Sequence, residues 1–145
     1  MTRWMLLLAV AGAAVADAPK PPSTEEVLVA DLTTAKFNDV TTPNFPKGMQ
    51  NAPIGIDPNT KGPTGYGRTP AGAGIAAHWH SFAEYTALLS GKGTLTIESK
   101  KHELSPGAYF VIPAKTVHQF TCGAGSECML LTRRAGPADY NFVKQ

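Results

Sequence analysis

Two histidines and a glutamate stand close together near the middle of the chain, at His78, His80 and Glu84. Successive side chains of a β-strand point to opposite faces, so His78 and His80 share one face of a strand while Trp79 points away. The residues between His80 and Glu84 can turn the chain and bring a carboxylate beside the imidazoles. Imidazole and carboxylate without thiolate suit divalent Fe, Mn, Zn, Ni, Co or Cu. The spacing therefore predicts one divalent transition metal; the competing interpretation is a pair of half-exposed strand histidines beside a surface glutamate.

The surrounding sequence is typical of short strands joined by tight turns. The chain has 14 Gly and 12 Pro, distributed between runs rich in Val, Ile, Thr, Phe and Tyr. Strands are predicted at 25–32, 54–56, 66–69, 75–80, 85–90, 93–98, 102–104, 109–112, 118–121 and 129–132. Evenly spaced strands without a convincing helix predict an all-β sandwich or closed barrel.

Strand alternation also places three residues near these positions. Tyr85 directly follows Glu84, so it is expected to point away from the metal and is a poor candidate for a catalytic base. Arg133 and Arg134 lie near the end of a predicted strand, where one should point inward and the other into water. At most one of the two arginines can therefore meet an anionic substrate.

Length indicates a single domain, and charge argues against nucleic-acid binding. The chain of 145 residues has room for one domain with a real core. Only 17% of its residues are charged and the formal net charge is +2, which leaves no electrostatic footprint for nucleic acid. We therefore predict no nucleic-acid partner.

The first residues are typical of a signal peptide. Arg3 precedes an apolar stretch that runs from Trp4 to Ala16, and Ala14-Val15-Ala16 fits the small-x-small cleavage pattern. A membrane span needs about 20 apolar residues, and this stretch is shorter. We predict a signal peptide at 1–16, a mature chain that starts at Asp17, a periplasmic or secreted location, and no membrane association after cleavage.

The two cysteines, Cys122 and Cys128, suit the same compartment. The segment between them contains two glycines, which can turn the chain back so that the thiols meet across a hairpin. Disulfides persist in oxidising compartments, so we predict a Cys122–Cys128 disulfide. A redox pair or a pair of thiolate ligands would need surroundings that lower the thiol pKa, and the sequence supplies none.

Two segments of the chain resemble the two sequence motifs of the cupin family. The first match comprises Gly72, five residues, His78-Trp79-His80, three residues, Glu84, six residues and Gly91. The second comprises Gly107, five residues, Pro113 and then His118. Lys115 departs from the second motif, which usually has Gly at that position, and Cys122 replaces its final Asn.

The resemblance implies a small, single-domain, RmlC-like cupin of unassigned function, with a double-stranded β-helix, or jelly-roll barrel, at 36–145 after an N-terminal arm and first strand at 17–35. It also implies a small-molecule ligand in the barrel and makes a homodimer plausible. The implied metal ligands are His78, His80, Glu84 and His118.

Two hypotheses on function follow from this resemblance. In the first, the protein is a mononuclear-metal enzyme of the dioxygenase type or of the lyase, isomerase or decarboxylase type. In the second, it is a non-catalytic module that binds a small ligand or a partner and has a structural metal. The sequence names no catalytic acid or base, so whether the protein is an enzyme stays open.

Overall fold

A computed structural model describes residues 27–144 of the chain. Within them lie one 3-10 helix, Leu32–Thr34, and eleven strands. The strands are β1 (Asn38–Asp39), β2 (Gln50–Ile56), β3 (Pro63–Thr69), β4 (His78–Trp79), β5 (Glu84–Ser90), β6 (Gly93–Ile97), β7 (Lys100–Leu104), β8 (Tyr109–Ile112), β9 (His118–Cys122), β10 (Cys128–Arg134) and β11 (Asn141–Phe142). This architecture confirms the all-β prediction.

The strands form two antiparallel sheets with the orders β1-β2-β3-β10-β5-β8 and β11-β4-β9-β6-β7. Chain neighbours such as β9 and β10 lie in different sheets, as expected for the jelly-roll barrel. His78 and His118 face each other across β4 and β9. Glu84 faces Arg134 across β5 and β10. The ends of these four strands therefore carry the candidate site.

The disulfide links the two sheets at the other end of β9. Cys122 ends β9, Cys128 begins β10, and the two are joined as predicted. Both cysteines are buried in a cluster with Leu88, Phe120 and Leu130. Gly91 lies against this hairpin with φ +80°, and a Cβ there would lie 2.9 Å from the Cα of Cys128, so the packing requires glycine at this position.

Lys115 occupies the turn between β8 and β9, where the second cupin motif usually has glycine. Its φ of +64° lies in the left-handed region, so the turn keeps the backbone shape that favours glycine. A lysine in this conformation costs on the order of 1 kcal/mol. The backbone N–H of Lys115 donates to the carbonyl of His80 at 2.7 Å, which closes the turn over the candidate site.

The strand predicted at 25–32 is wrong over its described part. Residues 27–31 pair with no strand, and Val27 is 90% exposed. The carboxylate of Asp31 accepts a hydrogen bond from the backbone N–H of Thr33 and caps the 3-10 helix instead. The apolar run at 27–29 has no neighbouring strand to pair with, and a strand needs one.

Two other differences concern short strands. β1 and β11 both lie in segments without a predicted strand. The predicted signal peptide at 1–16 and residues 17–26 of the arm lie outside the described residues, and the boundary at residue 36 stays a prediction. No helix in the described part of the chain is long and apolar enough to cross a membrane.

Candidate metal centre

Three buried histidines converge at one end of the barrel. His78 lies in β4, His80 follows that strand, and His118 begins β9. Their relative exposures are 3%, 2% and 4%. One ring nitrogen from each histidine lies within 4.8 Å of the others, which makes the three a group that could hold a metal ion. This arrangement excludes the interpretation of half-exposed strand histidines.

Backbone carbonyls fix the orientation of each imidazole. Nδ1 of His78 bonds the carbonyl of Ala76 at 2.7 Å, and Nδ1 of His118 bonds the carbonyl of Thr116 at 2.9 Å. Nδ1 of His80 bonds the carbonyl of Asp139. A carbonyl only accepts, so each Nδ1 donates its proton and each neutral ring keeps the lone pair on Nε2. Metal-binding histidines have this arrangement.

The hydrogen bonding of His80 Nε2 indicates whether the residues of the site fit a metal ion. This nitrogen is buried, and no well-aligned hydrogen bond to it is found among residues 27–144, although Oε2 of Glu84 lies 3.1 Å away. A buried polar atom without a partner costs about 1–3 kcal/mol. A divalent ion would satisfy this nitrogen, and the donor set of three neutral imidazoles suits such an ion. The residues present therefore fit a metal.

Burial also favours the ligand form of the imidazoles. It lowers the pKa of His78 from 6.5 to about 4, with smaller contributions from the neighbouring histidines. Burial likewise lowers the pKa of His118. Both rings are neutral at pH 7, and neutral imidazole is the form that binds metals.

Glu84 lies beside this cluster, as its spacing predicted. Its Oε2 atom is 3.1 Å from Nε2 of His80 and 2.8 Å from Nη1 of Arg134. Its Oε1 atom accepts a hydrogen bond from the hydroxyl of Thr86 at 2.8 Å. The group of mutually close donors contains the three histidines and not Glu84. A role for Glu84 as a fourth ligand therefore stays a prediction.

The electrostatic surroundings keep Glu84 ionised. Burial raises its pKa, but His80, Arg134 and the Thr86 hydroxyl together outweigh burial and lower the pKa to about 2. The carboxylate is therefore negatively charged at neutral pH.

Arg134 is the arginine that points inward. It is 5% exposed, whereas the side chain of Arg133 is 48% exposed and pairs with Asp57 on the outer face. The guanidinium of Arg133 also lies 6.0 Å from the ring centre of Tyr85, so Tyr85 points away from the metal site as predicted. Alternation foresaw one inward arginine but not which of the two.

Sequence reasoning missed Tyr140 and Asp139. Nη2 of Arg134 donates to the Tyr140 hydroxyl at 3.0 Å, and the ring centre of Tyr140 is 4.8 Å from that of His80. Asp139 supplies the carbonyl for His80, and its carboxylate accepts from the backbone N–H and the hydroxyl of Ser81. These contacts join residues up to 59 positions apart, and no local pattern indicated them.

A cavity of about 650 Å³ opens beside the histidines. Its wall is largely apolar, with side chains that include Met49, Ile54, Ile75, Leu95, Phe110, Phe120 and Leu130. The polar groups at the metal end include His78, His118, Glu84, Arg134 and Tyr140. The barrel can therefore enclose a small, mainly apolar molecule with a polar end beside the metal site.

Comparisons with known proteins agree with this geometry. Residues 65–132 match the family model described as Cupin domain. No curated protein matches the chain.

Solved structures of similar fold include proteins named as enzymes. The polyketide cyclase RemF from Streptomyces resistomycificus has a TM-score of 0.68 and 19% identity, over 83% of this chain and 87% of that chain. An RmlC-like cupin from Shewanella frigidimarina has a TM-score of 0.61 and 16% identity, over 75% and 89%. A structure of the DMSP lyases RdDddP and RnDddQII has a TM-score of 0.62 and 16% identity, over 76% and 63%. At these identities the likeness shows the fold alone.

Proposed function

Since residues 65–132 of this chain are a cupin domain within an RmlC-like barrel, we propose that the protein binds one divalent transition metal and acts as a mononuclear-metal enzyme on a small molecule in its cavity. One observation carries the proposal: the buried Nε2 of His80 has no well-aligned hydrogen bond within the described chain and lies beside two other oriented imidazoles and the Glu84 carboxylate. His78, His80 and His118 would hold the ion.

A metal bound here supplies a Lewis acid that can polarise an oxygen atom of the ligand. The residues of the chain supply the surroundings. The apolar wall excludes water, and the carbonyl of Asp139 orients His80. Arg134 holds the Glu84 carboxylate beside His80, where it could serve as the predicted fourth ligand. Two structural neighbours, named as a polyketide cyclase and as DMSP lyases, support the view that this fold can carry catalysis.

The reaction type is a finer proposal. Iron would favour dioxygenase chemistry, whereas zinc, nickel or manganese would favour a lyase, isomerase or decarboxylase. The alternative is a binding module with a structural metal, and one contact favours it: Arg134 already neutralises Glu84, so the carboxylate at the cavity wall is poorly suited to accept a proton.

We also propose that the protein is exported to the periplasm or secreted. The apolar stretch behind Arg3 supports this location, and so does the disulfide, which persists in oxidising compartments.

Metal content tests the proposed site. Wild type, His78→Ala, His118→Ala and His102→Ala are compared after dialysis against Mn(II) or Zn(II), with elemental analysis. His102 is the fourth histidine and lies in β7, outside the cluster, so it is the matched control. Wild type and the control should hold one ion per chain, whereas loss of a ligand should weaken binding at least tenfold. Equal metal content in all four proteins would contradict the assignment.

The relaxation of water protons distinguishes the enzyme hypothesis from the binding-module hypothesis. In the Mn(II)-loaded protein, an ion with open positions exchanges its bound water and enhances the relaxation of bulk water protons. A closed, structural ion gives little enhancement. A strong enhancement supports the enzyme, and a weak one favours the module with a structural metal.

A further inference from the structure

We propose that the ligand of this cavity is an organic anion with an apolar body, and that Tyr140, held by Arg134, donates the hydrogen bond that selects its anionic oxygen. This inference rests on the proposed function, because it takes the three-histidine site to hold a divalent ion.

The charges around the cavity favour an anion. Among the described residues that line it, Glu84 and Arg134 are the only charged ones, and they pair with each other. The lining histidines, His78 and His118, would bind the ion as neutral imidazoles through Nε2, since Nδ1 of each donates to a backbone carbonyl. A divalent ion therefore adds two positive charges that no lining residue offsets. An uncompensated charge in apolar surroundings is costly, and an anionic ligand reduces that cost.

The hydrogen bonding of Tyr140 leaves one donor free. Its hydroxyl accepts from Nη2 of Arg134 at 3.0 Å, so the phenolic proton must point elsewhere. No hydrogen bond from this hydroxyl to an acceptor is found among residues 27–144. Tyr140 lines the cavity and keeps 37% of its surface accessible. The hydroxyl can therefore donate to a ligand in the cavity.

The position of Tyr140 places this donor near the metal site. Its ring centre lies 5.1 Å from that of His78 and 4.8 Å from that of His80. The guanidinium of Arg134 lies 5.1 Å from the centre of the Tyr140 ring, which holds the ring in place together with the hydrogen bond. A ligand oxygen that binds beside the histidines therefore lies close to Tyr140, whose hydroxyl can donate a hydrogen bond to it.

The rest of the cavity selects the body of the ligand. Beyond the metal end the wall is formed largely by aliphatic and aromatic side chains, among them Ile75, Leu95 and Phe110. Burial of an apolar body against this wall favours binding. A carboxylate on an aromatic or branched aliphatic group fits both ends of the cavity, whereas a small hydrophilic anion fits only one.

Binding of simple probes tests the inference. Benzoate, its uncharged analogue benzamide, and acetate, which lacks the apolar body, are titrated calorimetrically into the Zn(II)-loaded protein. We expect benzoate to bind at least tenfold more tightly than either of the others. Tyr140→Phe, which removes only the hydroxyl, should weaken benzoate about tenfold, as expected for a hydrogen bond to a charged group, with zinc content unchanged. Tyr109→Phe is the control, since Tyr109 is 64% exposed on β8 and does not line the cavity.

The outcomes separate this inference from the proposed function. Equal binding of benzoate and benzamide, no binding of benzoate, or wild-type affinity in Tyr140→Phe overturns the inference when the same samples contain one zinc per chain. Absence of zinc from the wild type overturns the proposed function, and the charge argument fails with it.

Discussion

The substitution Arg134→Met tests whether the buried ion pair with Glu84 stabilises the site. Methionine keeps much of the length and apolar surface of arginine but removes its charge. Arg134 is 5% exposed and Glu84 is 8% exposed, so solvent screens the pair weakly. Removal of one partner leaves a buried carboxylate without its nearest cation, and a broken pair of this kind costs about 3–5 kcal/mol.

The pKa of Glu84 gives an upper limit for the electrostatic part of this cost, because His80 and the Thr86 hydroxyl lower that pKa together with Arg134. Its folded-state value is about 2 against an ordinary value of 4.5. At about 1.4 kcal/mol per pH unit, ionisation of Glu84 contributes on the order of 3 kcal/mol to the free energy of unfolding. Because the folded-state pKa is the lower one, this contribution is fully present above pH 4.5 and is lost as the pH falls through about 2. Arg134→Met raises the pKa of Glu84, so its cost should be largest above pH 4.5 and shrink in acid.

Urea denaturation of the metal-free protein measures this cost. At pH 7 we expect Arg134→Met to lower the free energy of unfolding by about 3 kcal/mol. Arg133→Met is the matched control, because Arg133 forms an exposed pair with Asp57 and should change stability by less than about 1 kcal/mol. The double variant Glu84→Gln/Arg134→Met should be more stable than the sum of its single effects predicts.

Two results would refute this reasoning. The first is a cost for Arg134→Met no larger than that for Arg133→Met. The second is additivity of Glu84→Gln and Arg134→Met within about 0.5 kcal/mol, since residues that interact directly should not be additive.

Other predictions concern the disulfide, the N-terminus and the support of the carboxylate. Alkylation without reductant should label no thiol, and replacement of both Cys122 and Cys128 by alanine should lower the free energy of unfolding by about 2 kcal/mol; two labelled cysteines would contradict the pairing. N-terminal sequencing of the mature protein should begin at Asp17, and a chain that keeps its first residue would disprove cleavage. Thr86→Val should cost about 1–2 kcal/mol in urea denaturation, because the hydroxyl that donates to a buried carboxylate is lost, and wild-type stability would argue against this contact.

The strands that carry the motif residues could be read from the sequence. The predicted ranges 85–90, 93–98, 109–112 and 118–121 each agree with a strand to within one residue at either end. Alternation placed His78 and His80 inside the barrel and Tyr85 outside it. These features depend on patterns within one or two strands, which local sequence encodes.

Contacts that depend on register or on distant segments could not be read in this way. The choice between Arg133 and Arg134 depends on which face of β10 lies in the core: Leu130 is buried there, and Arg134, four residues further on, shares its face. The predicted strand at 129–132 did not by itself fix which of its two faces lies inward. Tyr140 was missed because its partners lie in other elements and because β11 has only two residues.

Because Asp139 and Tyr140 contribute to the site, the site can form only late in the synthesis of the chain. A nascent chain leaves the ribosome N-terminus first, so all the histidines emerge before the carbonyl that orients His80 and the tyrosine that lines the cavity. The complete site exists only once nearly the whole barrel has been made, and binding of a metal at the proposed site would be coupled to that late stage of folding. If the chain crosses a membrane unfolded, the ions available on the far side then decide which metal it acquires.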